Sequence, residues 1–135
     1  MRKIVATKNR TDVEPVNTIV RHAEEGRSKI DVGGLKGASR SLLAAQLFKK
    51  LERPLLIVCP AEKETAAFAR ELSLFLGGES VFHYPSLDFL TIDMFALQKE
   101  DELSRLEALA NLQVGNKTVV VASAAALMQK VMPVD

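Results

Sequence analysis

Two short apolar runs constrain the fold of this chain more than any other feature of its sequence. Leu55–Cys59 is closed by Pro60, and the run 118–122 consists of one threonine, three valines and an alanine. Continuous runs of this length are typical of strands that are buried on both faces of a sheet. Such a sheet needs helices packed over it, so the sequence predicts an α/β layered domain.

Helical and strand patterns alternate along the rest of the chain. Apolar residues at steps of three and four predict a short opening helix at 12–27 and further helices at 38–51, 61–76 and 98–114. Ser123 is predicted to cap a short helix that runs to about Val131, and further strands are predicted at 28–33 and 80–84. The alternation favours a three-layer α/β fold, in which a mostly parallel sheet has helices on both faces.

Parallel sheets bind ligands where their strands end and the chain turns into the next helix. In the predicted fold, that edge presents the segments 33–41, 60–63 and 123–125. Away from the edge, the helix at 98–114 is expected to face the sheet with the stripe Leu103, Leu106, Leu109 and Ala110. Its acidic residues are interpreted as a solvated face, and the apolar stretch 85–97 is expected to pack down in part.

Length, charge and hydropathy exclude several classes of protein. A chain of 135 residues has the size of one domain. Its formal net charge of +1 offers no strong attraction of the whole surface to nucleic acid or to an anionic membrane. The apolar runs are all far shorter than the roughly 20 residues of a membrane-spanning helix. We therefore expect a soluble cytoplasmic protein with no membrane partner.

The cysteine and histidine content predicts neither a disulfide framework nor a metal site. Cys59 is the one cysteine, and it is interpreted as a buried structural thiol. His22 and His83 are far apart in the sequence, and His83 is interpreted as a packing residue rather than a catalyst. The basic residues 1–11 lack the apolar core of a secretion signal and are interpreted as an N-terminal tail.

A glycine-rich turn joins the predicted strand at 28–33 to the helix that follows it. Its register fits the phosphate-binding pattern G-x-x-x-x-G-K-[ST], with Gly34 at the first position and Ser41 at the last. Ser39 stands where the pattern requires its second glycine, and Arg40 stands where it requires lysine. Ser39 adds a side chain where phosphates approach the backbone, and the arginine fork is broader than an ammonium group.

This degenerate Walker A turn is predicted to bind a weakly held phosphate or sulfate at most. The free N–H groups at the start of the helix favour an anion even without the lost residues. The alternative, a tight turn with no ligand, stays open. The sequence predicts no catalytic residue, nucleotide cofactor or metal. The candidate anion site consists of Gly34, Gly37, Ala38, Ser39, Arg40 and Ser41.

Four segments in a fixed order resemble a known family. They are G-L-K-G-A-S-R-S from Gly34, R-P-L-L-I-V-C-P-A-E-K-E from Arg53, H-Y-P-S-L-D-F-L from His83, and V-V-V-A-S-A-A-A-L-M-Q-K from Val119. Together they resemble the N-terminal segment of the bacterial transcription-repair coupling factors, Mfd, from about Val13 to Pro133. They are also similar to the first part of the motor domain of the excision-repair protein UvrB.

The resemblance implies a degenerate RecA-like domain of the P-loop NTPase class at residues 12–135. In UvrB the glycine loop is complete and a Gln-Pro pair upstream recognises adenine, whereas this chain has Glu14-Pro15. The resemblance thus implies a UvrB-like module that kept the fold and lost the ATPase. ATP-driven movement along DNA as a helicase-type motor would belong to another part of the parent protein.

The function implied is a non-catalytic scaffold in transcription-coupled nucleotide excision repair of DNA damage. It would support recruitment of UvrA, mainly through an adjacent domain, to stalled RNA polymerase, while RNA polymerase and DNA contact other parts of the parent. The alternative is an ATP-binding half-domain of a UvrB-like, superfamily 2 helicase with its remaining motifs elsewhere. A third possibility is direct DNA binding by the basic terminus with Lys36 and Arg40.

The resemblance also implies that the domain is incomplete. The missing part would leave apolar surface and a sheet edge uncovered, and we therefore expect self-association or marginal stability.

Overall fold

The computed structural model describes residues 3–5, 14–87 and 95–130. It divides into two compact units, which we call unit 1 (Met1–Glu52) and unit 2 (Arg53–Asp135). Both units join parallel strands to helices, so the α/β class predicted from the sequence is confirmed.

Unit 1 consists of two short strands and two helices. Its elements are β1 (Lys3–Val5), α1 (Glu14–Glu24), β2 (Asp31–Gly33) and α2 (Ser39–Lys50). β1 pairs with β2 in parallel, with Ile4 opposite Val32. Val16 and Ile19 of α1 are buried, as are Ala45 and Phe48 of α2, and each pair has the three-residue spacing of one helix face.

Strand β1 lies within the segment 1–11 that the sequence analysis interprets as a basic tail. The interpretation is wrong for Lys3–Val5, because these residues pair in register with β2. Ile4 and Val5 are β-branched and favour a strand, and the charge of the flanking residues hid this short pattern.

Unit 2 contains a three-stranded sheet and three helices. Its elements are β3 (Leu55–Cys59), α3 (Glu62–Leu76), a single 3₁₀ turn (Gly78–Ser80), β4 (Val81–Tyr84), α4 (Phe95–Gln113), β5 (Val119–Ser123) and α5 (Ala124–Met128). The strand order is β3-β5-β4, and both pairs are parallel. α5 ends three residues before the predicted Val131.

The two long helices of unit 2 cover opposite faces of its sheet. Ala108 of α4 packs in a cluster with Val120 and Ala122 of β5. Thr65 of α3 contacts His83, whose register partner Val121 points to the other face. β5 is buried along its whole length as a result. This layering agrees with the predicted helix–sheet–helix fold and is consistent with part of a RecA-like domain.

Strand β3 differs from the prediction that it is buried on both faces. Leu56 is 55% exposed and Val58 is 49% exposed, whereas Cys59 is buried. β3 is an edge strand of the described sheet, and the cluster on α4 lies over β4 and β5 instead. Burial of the central strand β5 was predicted correctly, and that of the edge strand was not.

The inward face of α4 also differs from the prediction. Leu103 is 59% exposed and Leu106 is 62% exposed, while Arg105 and Ala108 are buried. Of the predicted stripe, Leu109 is partly buried and Ala110 is exposed. α4 turns a different face to the sheet from the predicted one because the buried Arg105 contacts the Pro85 carbonyl and the Tyr84 ring. The small side chain of Ala108 also allows the helix to approach the sheet closely.

Part of the predicted packing of the segment 85–97 concerns residues 88–94, which lie outside the described residues. None of the helices within the described ranges is long and apolar enough to span a membrane.

Candidate functional site

The glycine-rich turn of unit 1 forms where the sequence predicts it, between β2 and α2. Gly34 has φ of 83° and Gly37 has φ of 53°, both in the left-handed region that glycine adopts readily. The turn therefore depends on its two glycines. It is the position at which a phosphate-binding loop would present backbone N–H groups to an anion.

Ser39 closes this turn on itself. Its Oγ accepts a hydrogen bond from the Lys36 N–H at 2.7 Å and donates one to the Lys36 carbonyl oxygen, also at 2.7 Å. The Ser39 N–H is bonded to the same carbonyl at 3.2 Å. The side chain that replaces the glycine of the phosphate-binding pattern thus uses three hydrogen-bonding groups of the loop internally.

The next residues of the candidate anion site are arranged in the same way. The Arg40 N–H donates to the Gly37 carbonyl at 3.4 Å, and the Ser41 hydroxyl donates to the Ala38 carbonyl at 3.3 Å. Ser41 is completely buried, while Arg40 is exposed. Ala38, which precedes the helix, makes no side-chain cap. The six predicted residues lie together, but Ser41 Oγ is turned into the protein.

A second polar cluster lies at the carboxyl edge of the sheet in unit 2. We call it the edge cluster and define it as Glu62, Thr65, His83 and Ser123. Ser123 Oγ donates to Glu62 Oε2 at 2.5 Å and accepts the Ala126 N–H at 3.0 Å. The predicted segments 60–63 and 123–125 therefore meet, because Cys59 and Ser123 are register partners at the ends of adjacent strands.

Thr65 and His83 complete the edge cluster. Thr65 Oγ1 lies 2.7 Å from the Glu62 carbonyl oxygen and 2.7 Å from His83 Nε2. Glu62 Oε1 lies 3.6 Å from the same histidine nitrogen. Ser123 and His83 therefore lie on the two oxygens of one carboxylate, and the cluster ties α3 to β4 and β5 through Glu62. His83 makes polar contacts with Thr65 and Glu62, and its interpretation as a packing residue rather than a catalyst stays a prediction.

Hydrogen bonds set the charge of the edge cluster. Partial burial raises the pKa of Glu62, but hydrogen bonds from Ser123 and Ser86 outweigh burial and, with nearby His83, hold this pKa below its ordinary value. Asp101 of α4 has a raised pKa, because burial and the charges of Glu62 and Glu100 exceed the opposing effect of His83. Glu62 is therefore ionised at neutral pH.

The sequence analysis also considered the thiol of Cys59 and a metal site. Cys59 is buried, in agreement with its interpretation as a structural thiol. Within the described residues, no three side chains of histidine, cysteine or acidic type lie close enough together to hold a metal ion.

Sequence reasoning missed a buried arginine. Arg105 donates to the Pro85 carbonyl and to Gln129 Oε1, both at 2.9 Å, and its guanidinium lies 4.2 Å from the centre of the Tyr84 ring. Gln129 in turn pairs with both backbone groups of Leu87 at 2.8 Å. The one weak sequence signal of its burial is that a charged residue stands between apolar positions of the helix. Its partners are 20 and 24 residues away in the sequence, so a local pattern does not identify them.

Comparison with known proteins places these features in a family. No protein-family model and no solved structure matches the chain. The chain is 34% identical to a transcription-repair-coupling factor of Myxococcus xanthus over 112 residues, which are 78% of this chain and 9% of the relative. It is 24% identical to a transcription-repair-coupling factor of Bacillus subtilis over 118 residues, 87% of this chain and 10% of the relative. The chain belongs to the family of transcription-repair-coupling factors, and it spans about a tenth of the length of these relatives.

Proposed function

We propose that the chain is a non-catalytic scaffold within a transcription-repair-coupling factor and acts in transcription-coupled DNA repair. Contacts with RNA polymerase and DNA belong, in this proposal, to other parts of the parent protein. The similarity to two such factors supports the pathway. The structure of the glycine-rich turn supports the absence of nucleotide chemistry.

The observation that carries the proposal is the closure of the turn by Ser39. A nucleotide-binding loop leaves its N–H groups free to surround the phosphates. Here the Lys36 N–H is bonded to Ser39 Oγ at 2.7 Å, and the buried Ser41 hydroxyl is bonded to the Ala38 carbonyl. Binding a triphosphate would require breaking these local bonds and exposing Ser41.

The finer part of the proposal concerns UvrA. The resemblance to the UvrB motor domain favours a UvrB-like module that positions an adjacent UvrA-binding domain during nucleotide excision repair in the cytoplasm. The chain's own contribution would be rigid support, because β5 is buried throughout and the edge cluster ties it to α3 and β4.

The second candidate function is an ATP-binding half-domain whose remaining motifs lie elsewhere. The exposed Arg40 favours it, because a cation stands at the start of α2 directly after a strand and a glycine turn. An arginine there would attract phosphate oxygens even where lysine geometry is lost.

Calorimetric titration with Mg·ATP and Mg·ADP separates the two candidates. The scaffold proposal expects no binding by the wild-type chain or by Arg40→Ala. Binding by the wild type that is lost in Arg40→Ala, but kept in a control Arg27→Lys on the exposed surface, would establish the half-domain instead.

The double variant Ser39→Gly/Arg40→Lys tests whether closure of the turn by Ser39 is the cause of the lost nucleotide binding. It restores the glycine and lysine of the binding pattern and opens the turn, so weak binding of Mg·ADP is expected. If this variant also binds nothing, closure by Ser39 does not explain the loss.

A further inference from the structure

The outward face of α4 carries an apolar seam. Leu103 and Leu106 are 59% and 62% exposed, and Ala110 follows them at a step of four, while the polar residues Lys99 and Gln113 occupy the two ends of the same line. These spacings are those of positions a and d in a coiled-coil heptad. Ala108, at the f position opposite the seam, is completely buried against the sheet. The helix therefore has one face on the sheet and an apolar face on the outside.

Acidic side chains border this seam. Glu100 and Glu107 occupy e positions and Glu102 occupies a g position, and all three are exposed. In coiled coils, residues at e and g face the corresponding residues of the partner helix and determine which partner is accepted. The seam of α4 consequently favours a helix with lysine or arginine on both sides of its own apolar stripe.

We propose that this face of α4 docks a basic amphipathic helix by coiled-coil packing. The partner presents leucine-like residues to Leu103 and Leu106 and basic residues to Glu102 and Glu107. A second copy of this chain fits poorly, because both helices would bring glutamates to the flanks and repel each other. The inference goes beyond the proposed scaffold role and does not depend on the glycine-rich turn.

The test uses the 135-residue chain and two synthetic amphipathic peptides of about 24 residues, long enough to form helix on binding. Both peptides carry leucine at a and d; one has lysine and the other glutamate at e and g. Fluorescence anisotropy measures their affinities at low and high salt. The lysine peptide is expected to bind at least about tenfold more tightly than the glutamate peptide at low salt.

Two double variants locate the binding. Leu103→Ser/Leu106→Ser is expected to abolish binding, and Glu102→Lys/Glu107→Lys is expected to reverse the preference between the peptides. Leu74→Ser is the matched control, since Leu74 is 85% exposed on α3. Circular dichroism checks that each variant is folded.

Several results would overturn the proposal. They are equal affinity for the two peptides, no binding of either peptide, or binding that survives Leu103→Ser/Leu106→Ser. Self-association that disappears in this double variant would assign the seam to a second copy instead.

Discussion

The glycine-rich turn of unit 1 and the edge cluster of unit 2 occupy equivalent places, where a parallel strand ends and a helix follows. Both use serine hydroxyls to satisfy hydrogen-bonding groups, but over different ranges. Ser39 binds a backbone three residues away, whereas Ser123 binds Glu62, which is 61 residues away. A local closure can be reopened without disturbing the sheet. A long-range tie is part of what holds the layers together.

The sharpest way to break the edge cluster is Ser123→Ala. The change removes the hydrogen bond to an ionised carboxylate and the side-chain cap of α5, so it is expected to lower the stability of unit 2 by about 2 kcal/mol. Native-state hydrogen exchange of the β5 amides measures this loss. Ser73→Ala is the control, because the Ser73 hydroxyl donates to the Ala69 carbonyl of its own helix, and little change is expected there.

Acid provides a second test of the edge cluster. The pKa of Glu62 is lowered in the folded state, so its contribution is fully present above the unfolded value of about 4.5 and is lost as the pH falls through the lower folded value. Stability measured from pH 6 to pH 2.5 should therefore decline less in Glu62→Gln than in the wild type, with a smaller amplitude than the Ser123→Ala effect. Parallel pH profiles for the two proteins would contradict this assignment.

Ser39→Ala examines the local closure. It removes the two side-chain bonds to Lys36 and is expected to cost about 1 kcal/mol, confined to the turn. Exchange of the Lys36 amide should become several-fold faster, while the β5 amides keep their wild-type protection. Ser28→Ala, on the exposed segment before β2, should leave both unchanged. Faster exchange throughout both units would show that the closure is not local.

The smallest expected effect comes from comparing two buried threonines of unit 2, one whose hydroxyl has no hydrogen-bond partner within the described residues and one whose hydroxyl is hydrogen-bonded. Thr118 Oγ1 is buried and has no hydrogen-bond partner among the residues that the structure describes. Thr118→Val is therefore expected to raise the stability by about 0.5 kcal/mol, since it removes a desolvated hydroxyl at nearly constant volume. Thr65→Val, the same change at a bonded threonine, should lower the stability. Thermal unfolding of the two variants compares the signs, and destabilisation by Thr118→Val would contradict the reasoning.

Sequence patterns predicted the elements of this fold well because the patterns are local. The runs that became β3 and β5, the glycines of the turn and the Ser123 cap all depend on residues a few positions apart. The meeting of 60–63 with 123–125 could also be predicted, since parallel strands bring their carboxyl ends to one edge.

The failures concern residues whose environment is set by distant partners. The rotation of α4 depends on Arg105 reaching Pro85 and Gln129, and no periodicity shows which side of a helix an arginine will anchor. The exposed face of β3 follows from its place at the sheet edge, and strand order was left open. The internal bonding of Ser39 is a matter of rotamer and turn geometry, which residue types alone do not determine.

The side-chain amide of Gln129 imitates a neighbouring strand, because it pairs with both the N–H and the carbonyl of Leu87 at 2.8 Å. One residue just past the last helix thus substitutes for a missing backbone ladder. Shortened versions of the chain prepared for crystallisation or for nuclear magnetic resonance should therefore keep Gln129. Removing Gln129 would leave the N–H and the carbonyl of Leu87 without these two hydrogen bonds and Arg105 without one of its acceptors, although every described helix and strand would still be encoded.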